Sequence, residues 1–195
     1  MTDTRSPTAA SSSRATRLRA PFFDRPTAVV ARALLGARLR VRAGSHARDA
    51  RIVETEAYLR GDAASHAFRG PTRRNRSMFA APGTLYVFRI HQVVCANLVT
   101  HPGEAVLLRA GQLASEDARV ASGPGRLCRA LGITLSDDGT DTVSGDRVAV
   151  FGRVSRPRRI LVGPRVGIRR DAERPLRFWI GGDPAVSRPR ATISA

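Results

Sequence analysis

Glu54, Glu56 and Tyr58 lie two residues apart in the run RIVETEAYLR, Arg51 to Arg60. In an extended strand, Ile52, Glu54, Glu56 and Tyr58 share one face, so two carboxylates sit beside an aromatic ring. A carboxylate kept ionised by a neighbouring guanidinium can activate a water or steady a developing cation. The plainer alternative is a solvated strand face whose acids pair with nearby arginines. Other chemistries lack their residues. There is no H-E-x-x-H, and His46, His66, His91 and His101 lack metal-site spacing, so no metal is expected. The H-x-E and P-C-x-x-C pattern of zinc base deaminases is missing, as are G-x-S-x-G and a strand-to-helix G-x-G-x-x-G.

The charge points to a partner. With 33 Lys plus Arg against 16 Asp plus Glu, the formal net charge is +17, which favours a polyanion. Nucleic acid is the first expectation and an anionic membrane surface the competitor. No apolar run approaches a membrane-spanning length, and there is no long basic amphipathic helix. Every basic residue is arginine. A codon-biased genome is the plain explanation, but the consequence is chemical whatever the cause: the chain has no lysine for a Schiff base or a phosphate-loop contact, and the terminal α-amine is the one remaining imine former. Cys95 (in VVCAN) and Cys128 (in RLCRAL) lie in apolar contexts without C-x-x-C spacing. They read as buried free thiols in a reducing cytoplasm.

The elements that must hold the acidic strand can be read along the 195 residues. Residues 1–20 are Ser, Thr, Ala and Arg without apolar periodicity, predicting a disordered basic tail, and they lack the apolar run of a secretory signal. A single folded domain is expected over 21–195, since 42% apolar residues can fill one sizeable core. PFFDRPTAVVARALLG predicts a helix, with Asp24 as a cap, Pro26 in the first turn, a stripe of Val29, Val30, Ala33 and Leu34, and Gly36 at the end. ARLRVR alternates apolar and basic residues as a strand with one basic face, and the acidic strand follows. After a polar loop over 61–81, GTLYVFRIHQVVCANLVT predicts two paired strands and EAVLLRA a buried one. SGPGRLCRALG predicts a turn and a short helix, its GPG reading either as an anion-binding nest or as a plain turn. RVAVF, RRILVG and LRFWI supply later strands, with Phe178 and Trp179 read as core. The fold class is therefore mixed α/β (α+β) with a largely antiparallel sheet.

At this point whole segments carry a resemblance. RIVETEAYL, SHAFRGPTRRNRSMF, PGTLYV, CANLV, VLLRA, SGPGRLCRALGI and RVGI with PLRFWI, in that order over Phe22 to Val186, resemble the alkyladenine (3-methyladenine) DNA glycosylases. The resemblance implies a single compact domain with a curved sheet and a protruding β-hairpin that inserts into DNA. It implies that Glu56, the second acid of E-T-E-A-Y, is the general base for the water attacking C1′. Arg109 of V-L-L-R-A would position that water and the adjacent phosphate, and would hold Glu56 charged. Tyr58, His66 and Phe88 would wall the pocket of a flipped purine, Phe88 standing where the family usually has tyrosine. Asn97 would exclude guanine, and Val166 would offer backbone contacts to the base. Thr72, Arg74 and Arg76 of TRRNR would meet the DNA backbone.

Two departures accompany it. The hairpin tip VFRIHQVV lacks the family's tyrosine–glycine pair and is a residue shorter, leaving His91 or Ile90 as the intercalating wedge. The loop from Tyr58 to His66 is also a residue shorter, and Arg73 replaces a residue that is often proline in the family.

The implied activity is hydrolysis of the N-glycosidic bond of 3-methyladenine, hypoxanthine or ethenoadenine, as the first step of base excision repair. With no lysine to form an imine, a monofunctional enzyme without AP lyase activity is expected. It would need no cofactor, take damaged double-stranded DNA as partner, avoid membranes and act as a monomer in the bacterial cytosol near the nucleoid. The rival is a basic nucleic-acid-binding module in which Glu56 makes a structural ion pair.

Overall fold

A computed structural model describes residues 15–114, 116–153 and 156–188. Two short helices, α1 (Ala20–Phe23) and α2 (Thr27–Leu34), precede the strands β1 (Arg38–Ala43) and β2 (His46–Tyr58). After a loop and a 3-10 turn at Arg76–Phe79 come β3 (Leu85–Ile90), β4 (Val93–His101) and β5 (Glu104–Leu113). Helix α3 (Pro124–Leu131) and strands β6 (Val148–Phe151), β7 (Ile160–Gly163) and β8 (Arg177–Ile180) complete the chain. Every strand pairing is antiparallel, in the order β3-β4-β5-β2-β1-β6, with β8 joining β2 to β7. The sheet curls into a half-barrel, so the mixed α/β class and the single domain hold.

Strand β2 is the spine. Its first half pairs with β1, its second half with β8, and β5 runs along its other edge. Val30, Ala31 and Leu34 of α2 and Leu127 and Leu131 of α3 bury against Leu39, Ile52 and Leu108 on one sheet face. Gly111 permits the close approach of α3, because a Cβ there would lie 3.0 Å from Leu127 Cδ1. Truncating a large member of this core to alanine costs about 2–5 kcal/mol.

The buried stripe of α2 is Thr27, Val30, Ala31 and Leu34, while Val29 is exposed, so the predicted stripe was rotated. The cap also differs: Pro26 stands at the N-cap, and Asp24 instead closes α1 through its backbone N–H, with no side-chain cap. Phe178 is core as expected, whereas Trp179 is half-buried beneath Arg177, 4.7 Å from its ring. Most of the basic stretch 1–20 lies outside the described residues. Its described end is attached to the sheet: the Leu18 N–H donates to Val150 O, and Thr16 O accepts from Gly152. Among the described residues no helix is long and apolar enough to cross a membrane.

Candidate active site

The β2–β5 ladder shifts register between Ile52 and Thr55, skipping Val53 on one strand and Arg109 on the other. Such a bulge turns two successive side chains to the same side. Ile52 therefore packs in the main core, while Val53, Glu54 and Arg109 turn to the opposite face. Beyond the bulge, alternation resumes: Thr55 reaches the Ala31 carbonyl across the core at 2.9 Å, and Ala57 joins the core. The predicted face of Ile52, Glu54, Glu56 and Tyr58 thus loses Ile52 and gains Val53.

Both glutamates are fully buried, not solvated. Glu54 accepts from Arg109 Nε at 2.9 Å, Arg177 Nε at 2.7 Å, Ser187 N at 2.7 Å and Ser187 Oγ at 2.9 Å. Glu56 accepts from Tyr58 Oη at 2.9 Å and the Val166 N–H at 2.8 Å, and Arg109 Nη1 lies 3.3 Å away. Burial pushes the Glu56 carboxyl above the ordinary range, Arg109, Val166 and Tyr58 pull it back, and Glu54 adds to the push. The net direction is up. Burial outweighs Arg109, which is the largest of the opposing influences and also binds Glu54. An acid raised toward neutral pH is better matched to accepting a proton from water than an ordinary carboxylate is.

The opening above the acids is a cavity of about 280 Å³ lined by Tyr58, His66, Tyr86, Phe88, Asn97, Arg109 and Val166, with Ile90 and His91 of the β3–β4 hairpin at its margin. Glu56 is not part of the lining and lies behind Tyr58, Arg109 and Val166. The His66 and Phe88 rings meet edge to face, their centroids 4.1 Å apart. His66 Nδ1 shares a hydrogen bond of 3.0 Å with the Tyr86 hydroxyl, and burial lowers its pKa, favouring the neutral imidazole. Asn97 donates to the Tyr86 carbonyl at 3.1 Å, which fixes the amide at the cavity wall. The Val166 N–H is already taken by Glu56, so base recognition through that donor is not open.

A second cleft of about 480 Å³ shares His66, Tyr86 and Phe88 with the first and is bordered by Thr72 and Arg74. Thr72 is fixed by Asn75, whose Oδ1 accepts its N–H at 2.6 Å and its hydroxyl at 2.9 Å. Arg74 and Arg76 are exposed, but Arg76 opens the 3-10 turn and borders neither opening. At the hairpin tip Ile90 pairs with Val93 around a two-residue turn, both exposed, and His91 sits at φ 52. The GPG segment opens α3 with Pro124 at the cavity wall. Cys95 and Cys128 are buried and free, and burial pushes their thiols up to about 11 and about 12.

Sequence reasoning missed three supports. Arg177 and Ser187 complete the shell of Glu54, and Tyr86 holds His66. Arg165 and Asp62, both with fully buried side chains, form an ion pair beneath the site, the Arg165 guanidinium lying 4.6 Å from the Tyr58 ring. The two-residue spacing already placed Glu54 with Glu56, but no local motif marks Ser187 or Asp62. Among the described residues no group of three or more His, Cys, Asp or Glu is placed to hold a metal.

A family profile, Methylpurine-DNA glycosylase (MPG), matches residues 21–184. A protein of Rhizobium etli is 43% identical over 185 residues, covering 86% of this chain and 87% of its own length. One of Rhodopirellula baltica is 44% identical, covering 87% and 82%, and one of the archaeon Methanoculleus marisnigri is 42% identical, covering 88% and 98%. All three carry the name "Putative 3-methyladenine DNA glycosylase". With a profile spanning most of its length and relatives this similar from end to end, the chain belongs to the methylpurine-DNA glycosylase family.

Proposed function

We propose that this protein is a monofunctional DNA glycosylase that hydrolyses the N-glycosidic bond of alkylated or deaminated purines in duplex DNA. The observation that carries the reading is the buried Glu56, held by Tyr58, Val166 and Arg109 directly behind an aromatic cavity of about 280 Å³. The family and the names of the relatives support methylated purines as substrates. Among purines, 3-methyladenine is the first candidate, with hypoxanthine and ethenoadenine also fitting a flat cavity walled by rings.

C1′ of a stacked nucleotide is shielded, so the damaged nucleotide must rotate out of the duplex. The purine then enters the cavity that Tyr58, His66 and Phe88 help to line, where stacking selects a flat, electron-poor ring. Asn97 opposes the exocyclic amino group of guanine. Water attacks C1′ as the C1′–N bond breaks, the bonding electrons leave with the base, and Glu56 takes the proton of the water. Arg109 steadies the charge beside it. The products are a free purine and an abasic site, and no lysine is present to divert C1′ into an imine. Thr72, Arg74 and Arg76 meet the flanking phosphates, and the net charge of +17 supplies sequence-independent attraction to DNA.

The test is a single-turnover assay on duplexes carrying one damaged purine, with and without alkali. Breaks that need alkali, and a rate lowered at least about 100-fold in Glu56→Gln with duplex affinity retained, support the reading. Binding without release of any purine supports a non-catalytic nucleic-acid module instead.

A further inference from the structure

The guanidinium of Arg109 is held by two of its nitrogens. Nε donates to Glu54 Oε1 at 2.9 Å and Nη2 to Ser187 Oγ at 3.2 Å, which leaves Nη1 facing Glu56 Oε1 at 3.3 Å. The group is planar, so fixing two nitrogens fixes the third. Ser187 is the hub of this arrangement. Its N–H and Oγ donate to the two oxygens of Glu54 at 2.7 and 2.9 Å, and its carbonyl accepts from Arg177 Nη2 at 3.1 Å. Glu54 can only accept and Arg109 only donate, so the single hydroxyl proton of Ser187 points to Glu54 and a lone pair to Arg109.

These partners come from β2, β5, β8 and the segment after β8, and Ser187 lies past residue 184, where the family match ends. All four side chains are buried, with Ser187 only 5% exposed. The geometry points to Ser187 as a positioning residue for the hydrolysis: through its hydroxyl, with Glu54 and Arg177, it sets the angle at which Arg109 faces Glu56. It touches neither the nucleotide nor the reacting water. This inference rests on the glycosylase reading for its chemistry and on the hydrogen bonds alone for its geometry.

Ser187→Ala deletes the hydroxyl and keeps the main-chain N–H and C=O that hold Glu54 and Arg177. The single-turnover rate at saturating enzyme should fall about 10-fold or more, as small misplacements in an active site do, while duplex affinity changes by less than about 2-fold. The acidic limb of the rate profile should move to higher pH, since a rotated Arg109 stabilises the Glu56 carboxylate less. Ser187→Thr, which keeps an Oγ, should restore both. A Ser187→Ala variant with the parent rate and limb overturns the inference, as does loss in Ala and Thr alike in proportion to a lowered melting temperature. Hydrogen exchange of the Arg109 Nε–H, assigned by its loss in Arg109→Gln, reads the geometry without turnover. Slow exchange that becomes fast in Ser187→Ala supports the positioning role even if no purine is released, and unchanged exchange overturns it whatever the activity.

Discussion

Tyr58 donates its hydroxyl proton to Glu56 Oε2 at 2.9 Å, so one side chain both walls the cavity and tunes the acid behind it. On the proposed mechanism, base stacking and general-base strength are therefore coupled through this side chain. Removing the hydroxyl separates them. Tyr58→Phe keeps the ring and takes away a donor that holds the Glu56 pKa down. On the proposed mechanism activity requires the carboxylate and the rate falls as pH drops through its raised pKa, so losing the donor should move the acidic limb to higher pH. Below the limb the rate should fall relative to the parent, with affinity for a lesion duplex nearly unchanged. A rate profile measured from pH 5 to 9 checks this, and an unmoved limb refutes the coupling.

The Asp62–Arg165 pair ties the loop after β2 to the segment carrying Val166, because Arg165 Nη1 also donates to the Ala57 carbonyl at 3.1 Å and Nη2 to the Asp171 carbonyl at 3.3 Å. Deleting one partner of a fully buried ion pair strands the other, so Asp62→Ala should cost about 3–5 kcal/mol and Asp62→Asn less. The pH dependence has a definite sign. Burial alone pushes the Asp62 carboxyl up, but Arg165 and the Ala64 N–H outweigh it, and the folded-state pKa is lowered. The contribution is therefore fully present above the unfolded carboxyl value and disappears as pH falls through the depressed one. Urea titrations from pH 7 down to about 2 should show the gap between parent and Asp62→Ala closing only in acid.

Affinity for undamaged duplex should fall steeply with salt, because the attraction is to phosphates. Arg74→Ala and Arg76→Ala should each weaken binding without regard to sequence and reduce the magnitude of the salt slope by about 1. Their stability should barely change, since neither side chain forms an ion pair among the described residues. A fluorescence titration between 50 and 200 mM salt resolves a change of roughly this size. Equal slopes in parent and variants place the DNA elsewhere.

Strand order in the sequence was legible because the strands carry β-branched and aromatic runs between strong turn signals, and each of β1 to β8 overlaps a predicted segment, although β2 begins earlier, at His46, and β5 runs on to Leu113. The helix stripe was only half legible: Thr27 and Ala31 are buried in place of Val29 and Ala33, because the face of a short helix that packs is set by its tertiary partners. The acidic face was half legible. Period-2 spacing set Glu54, Glu56 and Tyr58 together, but a bulge depends on what the partner strand skips, and Arg109 is distant in sequence. Ser187 and Asp62 gave no signal at all, because a single Ser or Asp in a loop acquires meaning only when the fold brings an arginine to it.

The hairpin tip offers a prediction whose two readouts move in opposite directions. His91 is held at φ 52, a left-handed conformation that costs a residue with a Cβ about 1–2 kcal/mol, while glycine adopts it freely. His91→Gly should therefore leave the melting temperature unchanged or raise it. The same change removes a side chain that stands with Ile90 at the cavity margin and that, on the proposed mechanism, would fill the gap left by a flipped nucleotide. Unstacking a paired nucleotide costs a few kcal/mol, so loss of the wedge should slow excision from a fully paired duplex about 10-fold or more. In a single strand there is no stack to hold open, and the variant should match the parent. Ile90→Ala serves as the comparison, since it removes the neighbouring apolar group without touching the turn. If His91→Gly is slow and Ile90→Ala is not, the histidine is the wedge; the reverse assigns the role to Ile90, and parent-like rates for both remove the hairpin tip from the flipping step.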